Sequence, residues 1–353
     1  MSQQLKILFL GLGSIGQRHL RNVNAYFQTR QAEVRLFAFR TSETNNVIEN
    51  GVIQPVDDLS AYYNFETITD FSKAIELKPD VVFVCNPSSM HMKTAMAFAS
   101  IGADLFIEKP MAVDMENVAP LLELMRQKAL ISMVGFQSRF HPCVEKVKQL
   151  MRENNPGRPI SASFNWSTFL PAHHPYEDYR TGYAARDDLG GGVVNCLSHE
   201  LDLIYHFYGM PDSVYAIGGP LSDLGIFPED TVSALFKFRN DGKVFPVQLH
   251  LTFVQGMEQR NFELLFENAV VICDLVNALV KAVDHSGKTI LEQSFPHLDR
   301  NELFMNELDD FFSSVKKRKH TRIPGSEGVA SVKMASAIKR SITTEKIQPI
   351  EGI

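Results

Sequence analysis

The residues best suited to chemistry stand in one short stretch, Gly190-Gly191-Gly192-Val193-Val194-Asn195-Cys196-Leu197-Ser198-His199-Glu200-Leu201-Asp202-Leu203-Ile204-Tyr205-His206. Three glycines read as a turn, and the residues after them read as a helix. At about 100° per residue, Asn195, His199, Asp202 and His206 fall within roughly 60° of one another. The rest of this helix, Glu200 apart, is mostly apolar, which is the pattern of a buried helix. Buried polar groups need partners. The stripe is therefore either a satisfied network or a site, and a neutral imidazole in it could move a proton near pH 7.

A second candidate is Lys109, in Glu108-Lys109-Pro110 after the apolar run Asp104–Ile107. Pro110 holds the residue before it in extended backbone. An ammonium so fixed can orient a hydroxyl or ketone and stabilise oxyanion charge. An ion pair or a surface lysine is the plainer reading of the same residue.

The third is Gly11-Leu12-Gly13-Ser14-Ile15-Gly16, a G-x-G-x-x-G between a short strand at 6–10 and a helix reaching about Tyr26. Gly11 permits the turn, Gly13 lets backbone approach a diphosphate, and Gly16 lets strand and helix pack. Ser14 and Ile15 open the helix, whose N-terminus favours phosphate. This context reads as a dinucleotide site. The next strand, 34–39, ends in Arg40-Thr41-Ser42 where an NAD site usually has a carboxylate. A guanidinium and two hydroxyls suit a 2′-phosphate. NADP(H) is thus preferred, and Glu43 keeps NAD(H) open. Asn86, Pro87 and His91 follow another apolar strand, 80–85, and are expected to line the same cleft together with Glu108 and Lys109. His91 reads equally as a helix-surface residue.

These residues need a doubly wound parallel sheet to carry them. Strands at 6–10, 34–39, 80–85, 104–107 and 130–134 alternate with helices. Residues 1–140 are thus expected to form an α/β Rossmann domain. From Pro159 the pattern turns to strands without intervening helices, including a hairpin signal at Asn240-Asp241-Gly242. Residues 141–353 are read as an α+β domain with a large, mostly antiparallel sheet. One face of that sheet is expected to cover the His199 helix and the other to pair with a second copy. The helices at 302–315 and 327–343 close the chain and could pack back on the first domain. A long loop at 171–186, rich in aromatics, His and Arg, runs into the glycine turn and is taken as a substrate loop. Arg180, Tyr183 and Arg186 are its candidate contacts. The arginines could instead pair with Glu177, Asp178, Asp187 or Asp188.

Composition narrows the classes. Lysine and arginine total 35 against 41 acidic residues, a net charge of −6, which argues against nucleic acid or an anionic membrane as partner. The basic run Lys316-Lys317-Arg318-Lys319 suits a helix C-terminus. The four cysteines have no C-x-x-C or metal spacing, so no metal is expected and a reducing, cytoplasmic setting is. The apolar residues 7–10 lead into a glycine fingerprint rather than a cleavage site, so they read as a strand. No apolar run has the length of a membrane span.

Taken together, these motifs resemble the glucose–fructose oxidoreductase / inositol dehydrogenase family. The resemblance rests on Gly11–Gly16, Asn86-Pro87…His91, Glu108-Lys109-Pro110, Gly135…Arg139-Phe140 and Gly190-Gly191…His199-x-x-Asp202. It implies an NAD(P)-dependent oxidoreductase that moves a hydride between nicotinamide and a sugar or cyclitol carbinol. It implies dimers or tetramers formed through the second domain's sheet. By position, Lys109 resembles the lysine touching cofactor and reacting oxygen, and His199 the acid/base. Asn195 departs from the aspartate common among dehydrogenase members. An amide can bind substrate or His199 but cannot ionise, and asparagine here is also found among members that oxidise nucleotide-linked sugars. A nucleotide-linked or acidic sugar is therefore the expected substrate. The alternatives are a glycosidase using transient oxidation without net redox, and a non-catalytic nucleotide sensor that binds a partner protein.

Overall fold

A row of phenylalanines runs across the first sheet. In the computed structural model, which describes residues 4–41, 44–49, 51–153 and 156–352, Phe9, Phe83 and Phe106 are register partners on three adjacent parallel strands. Their rings stack at 4.8 Å in each step. Such continuous apolar strands are stable only when both faces are covered. The strands are β1 (Leu5–Leu10), β2 (Val34–Phe39), a hairpin of β3 (Asn46–Glu49) and β4 (Val52–Pro55), β5 (Glu66–Ile68), β6 (Val81–Val84), β7 (Asp104–Ile107) and β8 (Ser132–Val134). The helices among them are α1 (Ser14–Thr29), α2 (Leu59–Tyr63), α3 (Phe71–Glu76), α4 (His91–Ser100) and α5 (Val118–Gln127). The six-stranded parallel sheet has the order β5-β2-β1-β6-β7-β8. The order of winding reverses between β1 and β6, which is where ligands of such sheets bind. The β3–β4 hairpin was not visible in the sequence pattern.

The chain divides into two compact units. The first holds residues 1–135, 174–178 and 304–329. Its late segment contributes Phe311 and Phe312, which meet Phe83 edge-on and tilted.

The second unit begins with α6 (Pro142–Glu153) and β9 (Pro159–Phe169). Two helices follow, α7 (Val193–Cys196) and α8 (His199–Tyr208). Then come β10 (Ser213–Gly219), β11 (Thr231–Asn240), β12 (Lys243–Thr252), β13 (Val254–Phe266), β14 (Ala269–Asp274), β15 (Leu279–Asp284) and β16 (Thr289–Ser294). Helices α9 (Arg300–Lys317) and α10 (Gly325–Thr344) precede the short β17 (Gln348–Pro349). The nine-stranded sheet has the order β16-β15-β14-β13-β9-β12-β11-β10-β17. Only β9 with β12 is parallel; the other pairs are antiparallel. Strict alternation gives this sheet two faces. One cross-strand row reads Val214, Phe236, Val247, Ala162, Leu264, Val271, Ala282, and it is buried. Phe207 of α8 packs on that face against Phe164 and Phe262. The neighbouring row reads Tyr215, Leu235, Gln248, Ser163, Glu263, Ile272, Lys281 and faces outward. The β11–β12 turn takes two residues, Asp241 and Gly242, both with positive φ, as Asn-Asp-Gly foretells.

One expectation fails here. The glycine turn does not run into a single helix. Leu197 leaves the helical region (ψ 25°), and Glu200 N–H bonds Leu197 O three residues back. The polar stripe is thus split, with Asn195 on α7 and His199 opening α8. No described helix is long and apolar enough to cross a membrane.

Candidate active site

In the first unit, the loops after β1, β6 and β7 leave the carboxyl ends of adjacent strands. Gly16 packs so closely that a Cβ would stand 2.0 Å from Gly11 O. Gly13 is different: a Cβ there would meet nothing within 4 Å. Gly13 is also the N-cap of α1, with no side-chain cap and no acidic residue in the first turn. The space beside Gly13 is open and no acidic residue stands in the first turn, which suits a diphosphate at the helix N-terminus.

From β6, Asn86 donates Nδ2 to Thr94 Oγ1 at 2.9 Å, while its buried Oδ1 has no hydrogen-bond partner among the described residues. Pro87 leads into a short 3-10 turn before α4. His91 is not a helix-surface residue. It is buried, with Nδ1 2.9 Å from Pro110 O and Nε2 2.8 Å from Asn86 O. It ties the β6 and β7 loops together. Burial holds its pKa below the usual imidazole value, against the pull of the two carbonyls. A neutral ring carries one N–H, so it donates to one carbonyl at a time.

From β7, Glu108 turns inward. One carboxylate oxygen lies 2.5 Å from His19 Nε2, and the other accepts from Lys109 N–H at 3.1 Å. The His19 ring is fully buried against Phe106, and its Nδ1 has no hydrogen-bond partner among the described residues. An N–H at Nδ1 would be left buried and unpaired, so the ring carries its proton on Nε2 and donates to Glu108. Lys109 is half-buried and follows this anchored peptide. At the end of β2, Arg40 bonds Thr44 O at 2.6 Å and approaches Asn45 Oδ1 at 3.4 Å. Thr41 is exposed beside it. Ser42 lies outside the described residues.

In the second unit, the glycine turn gathers Tyr183 and Asn195. Tyr183 donates its hydroxyl to Gly190 O at 3.0 Å; Asn195 Nδ2 donates to Gly190 O at 3.0 Å and approaches Gly191 O at 3.4 Å. Gly191 is obligatory, since a Cβ would stand 2.5 Å from Tyr183 O and 2.7 Å from Ala184 O. His199 is 2% exposed, between the rings of Phe136 (5.5 Å) and Trp166 (5.9 Å). The acidic residues after it are engaged. Asp202 binds Arg139 through both oxygens (2.7 and 2.9 Å), with both side chains buried. Glu200 takes Arg260 at 2.8 and 3.2 Å, and that guanidinium also reaches Ser138 Oγ and lies 3.9 Å over the Trp166 ring. His206 supplies its carbonyl to Lys148. Arg186 pairs with Asp188 at 2.5 Å, in the manner its sequence neighbours allow. It lines a surface crevice with Arg180 and Phe227. No cluster of three metal-ligating side chains occurs among the described residues.

Sequence reasoning missed His19, Phe136, Trp166 and Arg260. Each acts across a long sequence separation, and no local spacing announces it.

Two family models match the chain. One, described as "Oxidoreductase family, NAD-binding Rossmann fold", covers residues 5–136. The other, described as "GFO/IDH/MocA C-terminal domain", covers residues 144–272. Inositol 2-dehydrogenase of Rhizobium meliloti is 25% identical over 345 residues, 96% of each chain. Myo-inositol 2-dehydrogenase of Thermotoga maritima is 23% identical over 280 residues, 78% of this chain and 80% of that protein. Among solved structures, levoglucosan dehydrogenase in complex with NADH has a TM-score of 0.83 at 18% identity, over 99% of this chain and 100% of that one. The WlbA dehydrogenase from Bordetella pertussis, in complex with NADH and UDP-GlcNAcA, has a TM-score of 0.78 at 19% identity, over 99% of both. At these identities the structures speak to fold.

Proposed function

Since the chain belongs to the GFO/IDH/MocA family of oxidoreductases with an NAD-binding Rossmann fold, we propose that it transfers a hydride between a nicotinamide cofactor and a carbinol or ketone of a sugar or sugar derivative. One observation carries this reading. Gly13, Asn86 and Lys109 leave the same end of adjacent parallel strands, with open space at the N-terminus of α1 for a diphosphate. A nicotinamide, when bound, supplies the carbon that takes or returns the hydride. Lys109, its backbone held by Glu108, orients the reacting oxygen and stabilises its developing charge. His199 takes the hydroxyl proton as the alkoxide forms. The aromatic walls of Phe136 and Trp166 limit its tilt, and the paired Glu200 and Asp202 keep uncompensated charge away from it.

The remaining assignments follow the same logic. Gly11, Ser14, Ile15, Gly16, Pro87 and His91 shape the cofactor cleft. Arg40, with Thr41 and Ser42, favours NADP(H) by exchanging the Thr44 carbonyl for a 2′-phosphate. Arg180, Tyr183 and Arg186, with Asn195 behind them, form the substrate side, and the arginines suit an acidic or nucleotide-linked sugar. Copies pair through the outward face of the nine-stranded sheet, where Tyr215, Leu235 and Ile272 are exposed. The domain division at residue 140 and the cytoplasmic setting belong to the same reading; of the closing helices, α9 from Phe304 onward groups with the first unit and α10 from Ala330 onward with the second.

The test is a fluorescence titration with NADPH and NADH, followed by a screen of free, phosphorylated and nucleotide-linked sugars for cofactor reduction. Arg40→Ala should weaken NADPH about ten-fold and NADH little. Equal losses for both would contradict the 2′-phosphate role. Glycoside cleavage with tightly held, unturned cofactor would favour the route without net redox.

A further inference from the structure

The loop between β9 and α7 starts and ends in the second unit, yet its middle, His174–Asp178, belongs to the first. Pro175 there lies 3.9 Å from where a Cβ on Gly51 would stand, at the tip of the β3–β4 hairpin. The next residue carries the chemistry. Tyr176 OH is 2.8 Å from His174 Nδ1 and stands beside the Ser14 side chain. The His174 and Tyr176 rings lie 5.3 Å apart. Ser14 is the first residue of α1, directly after Gly13 and its open space. A phenol and an imidazole from far along the chain thus stand where helix N–H groups and the α1 dipole favour an anion.

We propose that His174–Asp178 is a strap over the diphosphate-binding end of α1, and that Tyr176, braced by His174, donates its hydroxyl to a diphosphate oxygen of the bound dinucleotide. A strap serving only as packing would present apolar atoms to the glycine loop. This one presents a hydroxyl beside Ser14, the first residue of α1. Burial, with Glu177 adding to it, holds the phenol above its ordinary pKa, so it remains a donor at neutral pH. The inference rests on the cofactor reading and not on the sugar, so its test needs no substrate.

Tyr176→Phe and His174→Ala are titrated with NADH and with ADP-ribose, which shares the diphosphate but lacks nicotinamide. Losing a hydrogen bond to a charged group should weaken both ligands alike, about ten-fold for Tyr176→Phe, with the melting temperature of the ligand-free chain unchanged. In the wild type, ADP-ribose should slow tryptic cleavage after Arg180, at the downstream end of the strap; this readout needs no variant to fold. If Tyr176→Phe binds both ligands as the wild type does, or ADP-ribose leaves cleavage at Arg180 unchanged, the strap is overturned. A wild type that binds neither ligand overturns the cofactor reading with it.

Discussion

Asn195 illustrates how one atom decides a residue's identity. Its Nδ2 donates toward two carbonyls of the glycine turn, and Tyr183 donates to one of the same oxygens. A carboxylate would set oxygen against oxygen in a buried place, and its charged form would be penalised there. Asn195→Asp should therefore destabilise the fold by about 2 kcal/mol or more at neutral pH. The folded-state pKa of the new acid would be raised, so the loss should shrink in acid, where the protonated group can donate again. Urea unfolding in acid and at neutral pH reads both effects. A variant as stable as the wild type at neutral pH would show that the amide is not the clamp. The sequence marks Asn195 as a departure from the aspartate of related dehydrogenases, but it does not tell that the amide nitrogen faces backbone. That depends on the path of the loop at 183–191, which composition cannot predict.

At the scale of elements, Glu229 holds the start of α7. Its backbone O accepts from Val193 N–H at 2.8 Å, and its carboxylate accepts from Val194 N–H at 3.3 Å. The carboxylate fills the space beside Gly192, where a Cβ would stand 2.5 Å from it. Burial raises its pKa above the usual carboxylate value, and Lys339 at 3.8 Å offsets part of the rise. An acid with a raised folded-state pKa keeps its proton in the folded chain after the unfolded chain has lost it. Its stabilising contribution is full below the unfolded value of about 4.5 and is lost as pH rises through the folded value. Glu229→Gln should remove that slope, so its stability relative to the wild type should rise as pH climbs above about 4.5. Parallel curves for the two proteins across that range would refute the assignment. The elements themselves divide by how local their causes are. Five of the six strands of the parallel sheet were legible because burial on both faces demands unbroken apolar runs; β5, at the sheet edge and largely exposed, was not. The Asn-Asp-Gly hairpin was legible because both turn residues need positive φ. The N-terminal half of β13 was not, because its register shifts between Val254 and Gln259 and its residues there are polar. The break between α7 and α8 also left no mark, since Leu197-Ser198 suits a continuing helix in isolation.

At the scale of the whole molecule, the sequence conveyed the order of the motifs and the sheet classes. It did not convey the buried pairs His19–Glu108, Arg139–Asp202 and Glu200–Arg260, whose members lie far apart in the chain. Nor did it convey that His174–Asp178 joins the Rossmann unit. These long-range features surround the residues proposed for chemistry. On this reading Lys109 and His199 act in the chemical step, while the glycine loop and its neighbours hold the cofactor. The most direct test compares turnover and NAD(P)H affinity in Lys109→Ala and His199→Ala, using the sugar found by the screen. Turnover should fall by about 10²- to 10⁴-fold in each, with cofactor affinity nearly intact. Wild-type turnover in either variant would contradict the claim.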